Sequence, residues 1–293
     1  MVNELKKIML GLYGFVPFKR ELFSAIRFFY IPKENIFRHL YFKGKFKIKI
    51  DAKHSFLMQH YGSGFAMESD HFWKGVGGCE PYSIDLWKMY AQKSDLIFDI
   101  GANTGSYSLI AAALNPSAEI HAFEPVKRTF EKLEFNTQIN AFHIHLHNVA
   151  LSDTEGEIFM SEEGKSNEYT AHVSKIKNVN SYSVASRRLD SVLNTIHYNK
   201  KVLIKLDVER HEVQVLLGMG DLFKQLRPVI LLEVLDVHMA NQLNPFFEHL
   251  DYVFLNINEV KGCTPISSVC KSFDNNIFCC PREKVLPSEL YFS

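Results

Sequence analysis

Asp99-Ile100-Gly101-Ala102-Asn103-Thr104-Gly105, followed by Glu119-Ile120-His121-Ala122-Phe123-Glu124, is the stretch whose reading decides the fold. Leu96 to Ile100 is a short apolar run of buried-strand type, and Thr104 to Leu114 reads as a helix. The glycines lie where strand turns into helix, and glycine lets the backbone approach a ligand closely. The first turn of the helix offers free amides and a positive dipole end. In open α/β sheets ligands bind at this position, beyond the carboxyl ends of the strands.

The spacing narrows the ligand. A dinucleotide fingerprint requires G-x-G-x-x-G, whereas this chain has D-x-G-x-x-x-G. A P-loop requires Gly-Lys-Ser/Thr after a longer loop at the strand-to-helix turn, and the turn from Asp99 to Gly105 does not carry it. Glu124 closes the second strand, the position from which a carboxylate accepts both hydroxyls of a ribose. Asp99 beside the loop suits a cationic aminoacyl end. Together these features suit S-adenosylmethionine.

Working outward, strand-like and helical runs alternate. Glu119 to Glu124 is a strand, Val126 to Ile139 a helix and Phe142 to Leu151 a strand. Val202 to Asp207 is a strand followed by a helix from Glu212 to Leu222. Val229 to Val234, a helix near Val237 to His249 and a final strand from Tyr252 to Asn256 complete the series. This rhythm predicts an α/β fold with a mostly parallel, doubly wound Rossmann-like sheet over residues 91–262. A polar insertion at 152–192 interrupts it, and 263–293 forms a tail packing on the domain. An insertion of that length is more often functional than decorative.

Residues 1–90 form an N-terminal appendage of helix and strand. Met1 to Tyr30 reads as a helix broken near Pro17. Its apolar stripe predicts packing on the domain or on a second copy in a homo-oligomer. The alternative is a basic amphipathic helix on a membrane surface. In Phe42 to Ile50, Phe42, Gly44, Phe46, Ile48 and Ile50 oppose four lysines, which predicts a half-buried strand. Gly62 to Gly78 reads as a loop.

Composition is ordinary for a globular chain: 293 residues, 46% apolar and 23% charged, with a formal net charge of +0. A neutral chain lacks the basic footprint of a nucleic-acid binder. The odd count of five cysteines points to reduced thiols and a cytoplasmic protein, with membrane association through residues 1–30 as the added alternative. His143, His145 and His147 alternate along one strand, but no nearby acid or cysteine completes a metal set, so no metal ligand is predicted.

The resemblance to the FkbM-type methyltransferases rests on several separated segments. They are Ile97 to Gly105, His121-Ala122-Phe123-Glu124-Pro125, Asn148 to Asp153, Arg188-Leu189-Asp190, Ile204 to Glu209 with Glu212, and Leu232-Glu233-Val234. The resemblance implies a class I fold, S-adenosylmethionine as methyl donor and a hydroxyl acceptor on a sugar, glycan or other metabolite. It implies that Asp99, Gly101, Ala102, Asn103, Gly105 and Glu124 line the cofactor site, with Asn148 and Ala150 near the adenine. The family usually has glycine after its Lys-x-Asp-x-Glu run, where this chain has Arg210 and His211. That departure motivates a rival reading, a non-catalytic cofactor-binding or assembly protein.

An alcohol acceptor must lose a proton to a base within hydrogen-bond reach. Asp207, Glu209 and His211 are the candidates, and Lys205 shares a strand face with Asp207. Asp207 with Glu233 is also a pair of hard oxygen ligands suited to a divalent metal, an option short of a prediction.

Overall fold

The computed structural model describes residues 17–62, 66–78, 80–162, 171–174, 181–192, 199–272 and 274–286. Helices α1 (Lys19–Phe29) and α2 (Glu34–Phe37) precede an antiparallel hairpin of β1 (Lys43–Lys49) and β2 (Ser55–Tyr61). The expected alternation is present in β1: Phe46 and Ile48 are buried while the lysines face solvent. α1 packs by one stripe. Phe23 is buried with its ring 5.6 Å from Trp73, and the Arg27 guanidinium covers the Phe72 ring at 4.6 Å. Leu22, Phe28 and Phe29 on the other flank are exposed. Residues 1–16 of the expected helix lie outside the described residues, and so does Cys79.

The expected loop over Gly62 to Gly78 is corrected. Within it Ala66–Lys74 forms helix α3, and Phe72 and Trp73 are buried. The aromatic residues have the apolar face of the hairpin to cover, as the 4.7 Å contact of Phe42 with Phe72 shows. Burial of large rings outweighs the loop-like composition around them.

The main domain follows with α4 (Pro81–Ala91), β3 (Leu96–Ile100), α5 (Ser106–Leu114), β4 (Glu119–Phe123), α6 (Lys127–Asn140), β5 (His145–His147) and β6 (Ala150–Leu151). Then come β7 (Gly156–Glu162), β8 (Ala171–Ser174), β9 (Ser181–Arg187), α7 (Leu189–Val192), β10 (Val202–Leu206), α8 (Glu212–Met219) and α9 (Leu222–Leu226). The described chain ends with β11 (Val229–Glu233), α10 (Val237–Phe247), β12 (Tyr252–Asn258), β13 (Gly262–Ile266) and β14 (Asn276–Pro281).

The large sheet has the order β13-β12-β14-β11-β10-β3-β4-β5. Strands β5, β4, β3, β10 and β11 pair in parallel. All residues of β3 and β10 are buried, as expected of strands covered on both faces. One core holds Trp87, Ile97, Leu109 and Leu203 and continues into the N-terminal hairpin. The other holds Phe98, Ile204, Val215 and Leu243 under α8 and α10. This is the mostly parallel, doubly wound Rossmann-like architecture that the sequence predicts.

Three further expectations are refined. Tyr252–Asn258 is not the final strand: β13 pairs with it, and β14 inserts antiparallel between β11 and β12. The apolar run Ile277-Phe278-Cys279-Cys280 follows polar loops and lacks a βα rhythm, so its place in the sheet is invisible to periodicity. Phe142 to Leu151 divides into β5 of the large sheet and β6 of a smaller one. The 152–192 insertion contains strands, and β6-β9-β7-β8 form a second sheet beside the first. Cys263, Cys270, Cys279 and Cys280 are free thiols. No helix among the described residues is long and apolar enough to cross a membrane.

Candidate active site

A cleft of about 320 Å³ opens at the carboxyl ends of β3, β4 and β10. Of the residues expected there, Asp99, Gly101, Ala102, Asn103, Glu124, Ala150, Lys205, Asp207, Glu209 and His211 line it. Gly105 and Asn148 are not among the lining residues. The Asn148 amide donates to the carbonyls of Glu124 and Pro125 at 2.8 and 3.1 Å, so it braces the turn after β4. The cleft also takes Met67, Asp70 and Glu80 from the N-terminal segment, Tyr107 from α5 and Met160 from the insertion. Their contribution depends on long-range packing, and no local pattern in the sequence marks them.

Gly101 has φ +82°, a left-handed geometry that glycine takes at little cost. A Cβ there would lie 1.7 Å from the Asp207 carbonyl oxygen. The residue must therefore be glycine because the end of β10 passes against it, a different reason from ligand approach. Its amide and that of Ala102 both donate to the Phe123 carbonyl, which closes the turn against β4. Asn103 has φ 50°, and its amide donates to Glu124 Oε2 at 3.0 Å. The Val126 amide donates to Glu124 Oε1 at 2.8 Å. Two backbone amides thus aim the Glu124 carboxylate, and each oxygen keeps acceptor capacity for a further donor. Burial pushes the Glu124 pKa up to about 7, with Asp99 and Asp207 adding to the rise and the two amides opposing it.

Asp99 is buried. Its Oδ2 accepts from the Ser108 amide at 2.9 Å and the Ser108 hydroxyl at 2.5 Å, which ties the strand end to the first turn of α5. Burial raises its pKa to about 6 against the pull of Ser108 and Lys205. Lys205 Nζ lies 3.0 Å from Asp207 Oδ2 and 5.3 Å from the centre of the Tyr107 ring. Burial alone would discharge Lys205, but Asp207, Glu80 and Glu233 hold its pKa above the ordinary value. Burial first, and then the neighbouring Asp207, push the Glu233 pKa up, while Lys205 opposes the rise. The Tyr107 hydroxyl donates to Glu80 Oε2 at 2.6 Å and the Asn276 amide to Oε1 at 2.7 Å, so β14 helps to fix this wall.

Glu209 and Arg210 both have positive φ, 53° and 77°. At the position where the family usually carries glycine, Arg210 adopts a geometry natural to glycine. Such strain persists only where the surroundings fix it. The Arg210 guanidinium pairs with Asp236, whose other oxygen accepts from the Met239 amide and caps α10. Arg210 is exposed and is directed to this pair, while His211 turns to the cleft.

His211 Nε2 lies 2.9 Å from Ser152 Oγ, and that hydroxyl donates to Asp153 Oδ1 at 3.0 Å. A hydroxyl has one proton and a carboxylate only accepts, so the imidazole must donate through Nε2. This assignment leaves Nδ1 as the acceptor nitrogen. Burial lowers the His211 pKa, and Asp153 partly offsets it. The contact depends on close packing: a Cβ on Gly218 of α8 would lie 2.0 Å from the Ser152 carbonyl oxygen.

Residues 99–256, more than half of the chain, match the methyltransferase FkbM domain. The chain is 26% identical to the AMB antimetabolite synthetase AmbE of Pseudomonas aeruginosa, over 58% of this chain and 10% of that protein. It is also 26% identical to the hexuronic acid methyltransferase AglP of Haloferax volcanii, over 48% of this chain and 56% of that one. The chain thus spans a tenth of one curated relative and about half of the other. Among solved structures, the methyltransferase FkbM from Methylobacillus flagellatus aligns at TM-score 0.40 and 14% identity, covering 64% of this chain and 43% of that one. An Agrobacterium tumefaciens SAM-dependent methyltransferase aligns at TM-score 0.41 and 11% identity, covering 81% and 70%. On the domain match, the chain belongs to the methyltransferase FkbM family, a family of S-adenosylmethionine-dependent methyltransferases.

Proposed function

We propose that this protein transfers the methyl group of S-adenosylmethionine to a hydroxyl of a sugar, a glycan or another hydroxylated metabolite. The observation that carries the reading is the meeting, in one cleft, of the Asp99–Glu124 turn with His211, which Ser152 and Asp153 back from behind through hydrogen bonds. The donor set fits the cofactor. Glu124 has acceptor capacity for ribose hydroxyls, and Val126, Val149, Ala150, Leu151 and Met160 give an apolar wall for a base. The surplus of carboxylates over Lys205 suits a cation. The cofactor, when bound, supplies an electrophilic methyl on a sulfonium centre.

The residues then do the remaining work. Much of a methyl transfer is alignment of donor and acceptor. His211, neutral by burial and donating through Nε2, takes the acceptor proton at Nδ1, and Asp153 stabilises the resulting charge through Ser152. Lys205 and Asp207 form an ion pair in the same cleft and orient the acceptor. A sugar acceptor is supported by the relationship to AglP, itself a hexuronic acid methyltransferase.

The test combines calorimetry with S-adenosylhomocysteine and a methyl-transfer screen against sugars and glycans. Binding by the wild type, turnover of at least one hydroxyl acceptor, and loss of turnover without loss of binding in His211→Ala are expected. Tight binding with no transfer to any hydroxyl acceptor would favour the assembly-protein reading.

A further inference from the structure

Glu119, His121 and Phe123 alternate along one face of β4. The parallel register sets His145 beside His121 and His147 beside Phe123. Three imidazoles and a carboxylate therefore share one face at the edge of the large sheet. The sequence shows the alternating histidines, but only the register reveals that Glu119 accompanies them.

The geometry at this edge is compact. His121 Nε2 lies 3.1 Å from Glu119 Oε1, and His121 Nδ1 lies 3.0 Å from His147 Nε2. The His121 and His145 rings stack with centroids 4.7 Å apart. One ligand atom each from Glu119, His121 and His145 falls within 4.8 Å of the other two. Atoms bound about 2.1 Å from a shared tetrahedral ion are separated by roughly 3.4 Å, so small rotations of side chains bring the three into range. His145 is exposed and gives an entry path, while His121 is 8% exposed and backed by the Phe98 ring at 5.6 Å. Lys200 pairs with Glu119 through Oε2, which leaves Oε1 toward His121.

We propose that Glu119, His121 and His145 form a binding site for a zinc-class divalent ion. Two imidazoles and one carboxylate are ligands of borderline metals rather than of magnesium or calcium, which take oxygen sets. His121 binds through Nε2 and donates from Nδ1 to His147, the outer hydrogen bond that fixes the ring of a metal-bound histidine. The ion joins β4 to the edge strand β5. It is separate from the methyl-transfer cleft, although His147 stacks 4.4 Å from Phe123, which lines that cleft.

The experiment titrates tag-free, chelator-treated full-length protein with zinc chloride by calorimetry, and with cobalt by visible absorption. One ion per chain is expected, with tetrahedral cobalt bands and a raised melting temperature. Glu119→Gln and His145→Ala should each weaken binding at least about tenfold. Both alter partly or fully exposed residues, and circular dichroism checks that the variants are folded. His54→Ala, a partly exposed histidine elsewhere, should leave binding unchanged. Absence of saturable one-to-one binding, or wild-type affinity in both site variants, would overturn the proposal.

Discussion

Gly101→Ala is expected to unfold this protein more readily than any loop glycine substitution. The added Cβ would sit 1.7 Å from the Asp207 carbonyl, and the atom it meets is backbone at the end of a central strand. To restore ordinary contact, the ends of β3 and β10 must part by roughly the same distance again. That movement breaks the 3.1 Å bond from the Asp207 amide to the Ile100 carbonyl, worth about 1 kcal/mol. Overpacking adds about 1–3 kcal/mol, and the left-handed φ adds about 1 for a residue with a Cβ. The reduced freedom of the unfolded chain returns roughly 0.5 kcal/mol. The net loss is about 2.5–4.5 kcal/mol. Gly75→Ala is the control, since its φ is also positive, at +89°, yet nothing lies within 4 Å of its Cβ. It should lose only about 1 kcal/mol. Urea unfolding of both variants measures the difference. Equal midpoints at unchanged slope would refute the backbone contact as the reason for glycine at 101.

Three further outcomes are expected. kcat/KM should fall as pH drops through a histidine pKa below the ordinary 6.5, because burial holds His211 neutral and only the neutral form takes a proton; the limb should vanish in His211→Ala, measured by initial rates across pH. Burial lowers the His60 pKa to about 4, so the unfolded state binds the extra proton first; the contribution of His60 is full above 6.5 and falls by roughly 2 kcal/mol between pH 7 and 5, so the difference in urea stability between wild type and His60→Gln should shift against wild type by about that amount over the interval. Arg210→Gly relieves about 1 kcal/mol of left-handed strain but gives up an exposed ion pair and adds chain entropy, so its stability should stay within about 1 kcal/mol of wild type, with Arg210→Ala the less stable of the two by thermal melting.

What the sequence disclosed follows the range of the forces involved. The strands Leu96–Ile100, Val202–Leu206 and Val229–Glu233 are legible because buried parallel strands are short apolar runs, and that character is local. The turn from Asp99 to Gly105 and the acid at 124 are legible for the same reason. Helix Ala66–Lys74 was hidden because its stability comes from a hairpin it must cover, not from its own composition. Strand Asn276–Pro281 was hidden because its partners lie more than twenty residues away. In the cleft, the contributions of Asp70, Glu80 and Met160 depend on tertiary approach alone. Gly101 shows a subtler gap: the position was legible, but its physical reason required the neighbouring strand.

The insertion of β14 between β11 and β12 orders events during synthesis. Both neighbours must leave one edge open until residues 276–281 emerge from the ribosome, while β3, β4, β10 and β11 can already pair. Among the described residues the nascent domain therefore carries two unpaired strand edges until β14 arrives, and Glu80 lacks its Asn276 partner over the same interval. A stalled chain ending before residue 276 would be prone to edge pairing, which makes the arrival of β14 the step that closes the sheet and one wall of the cleft together.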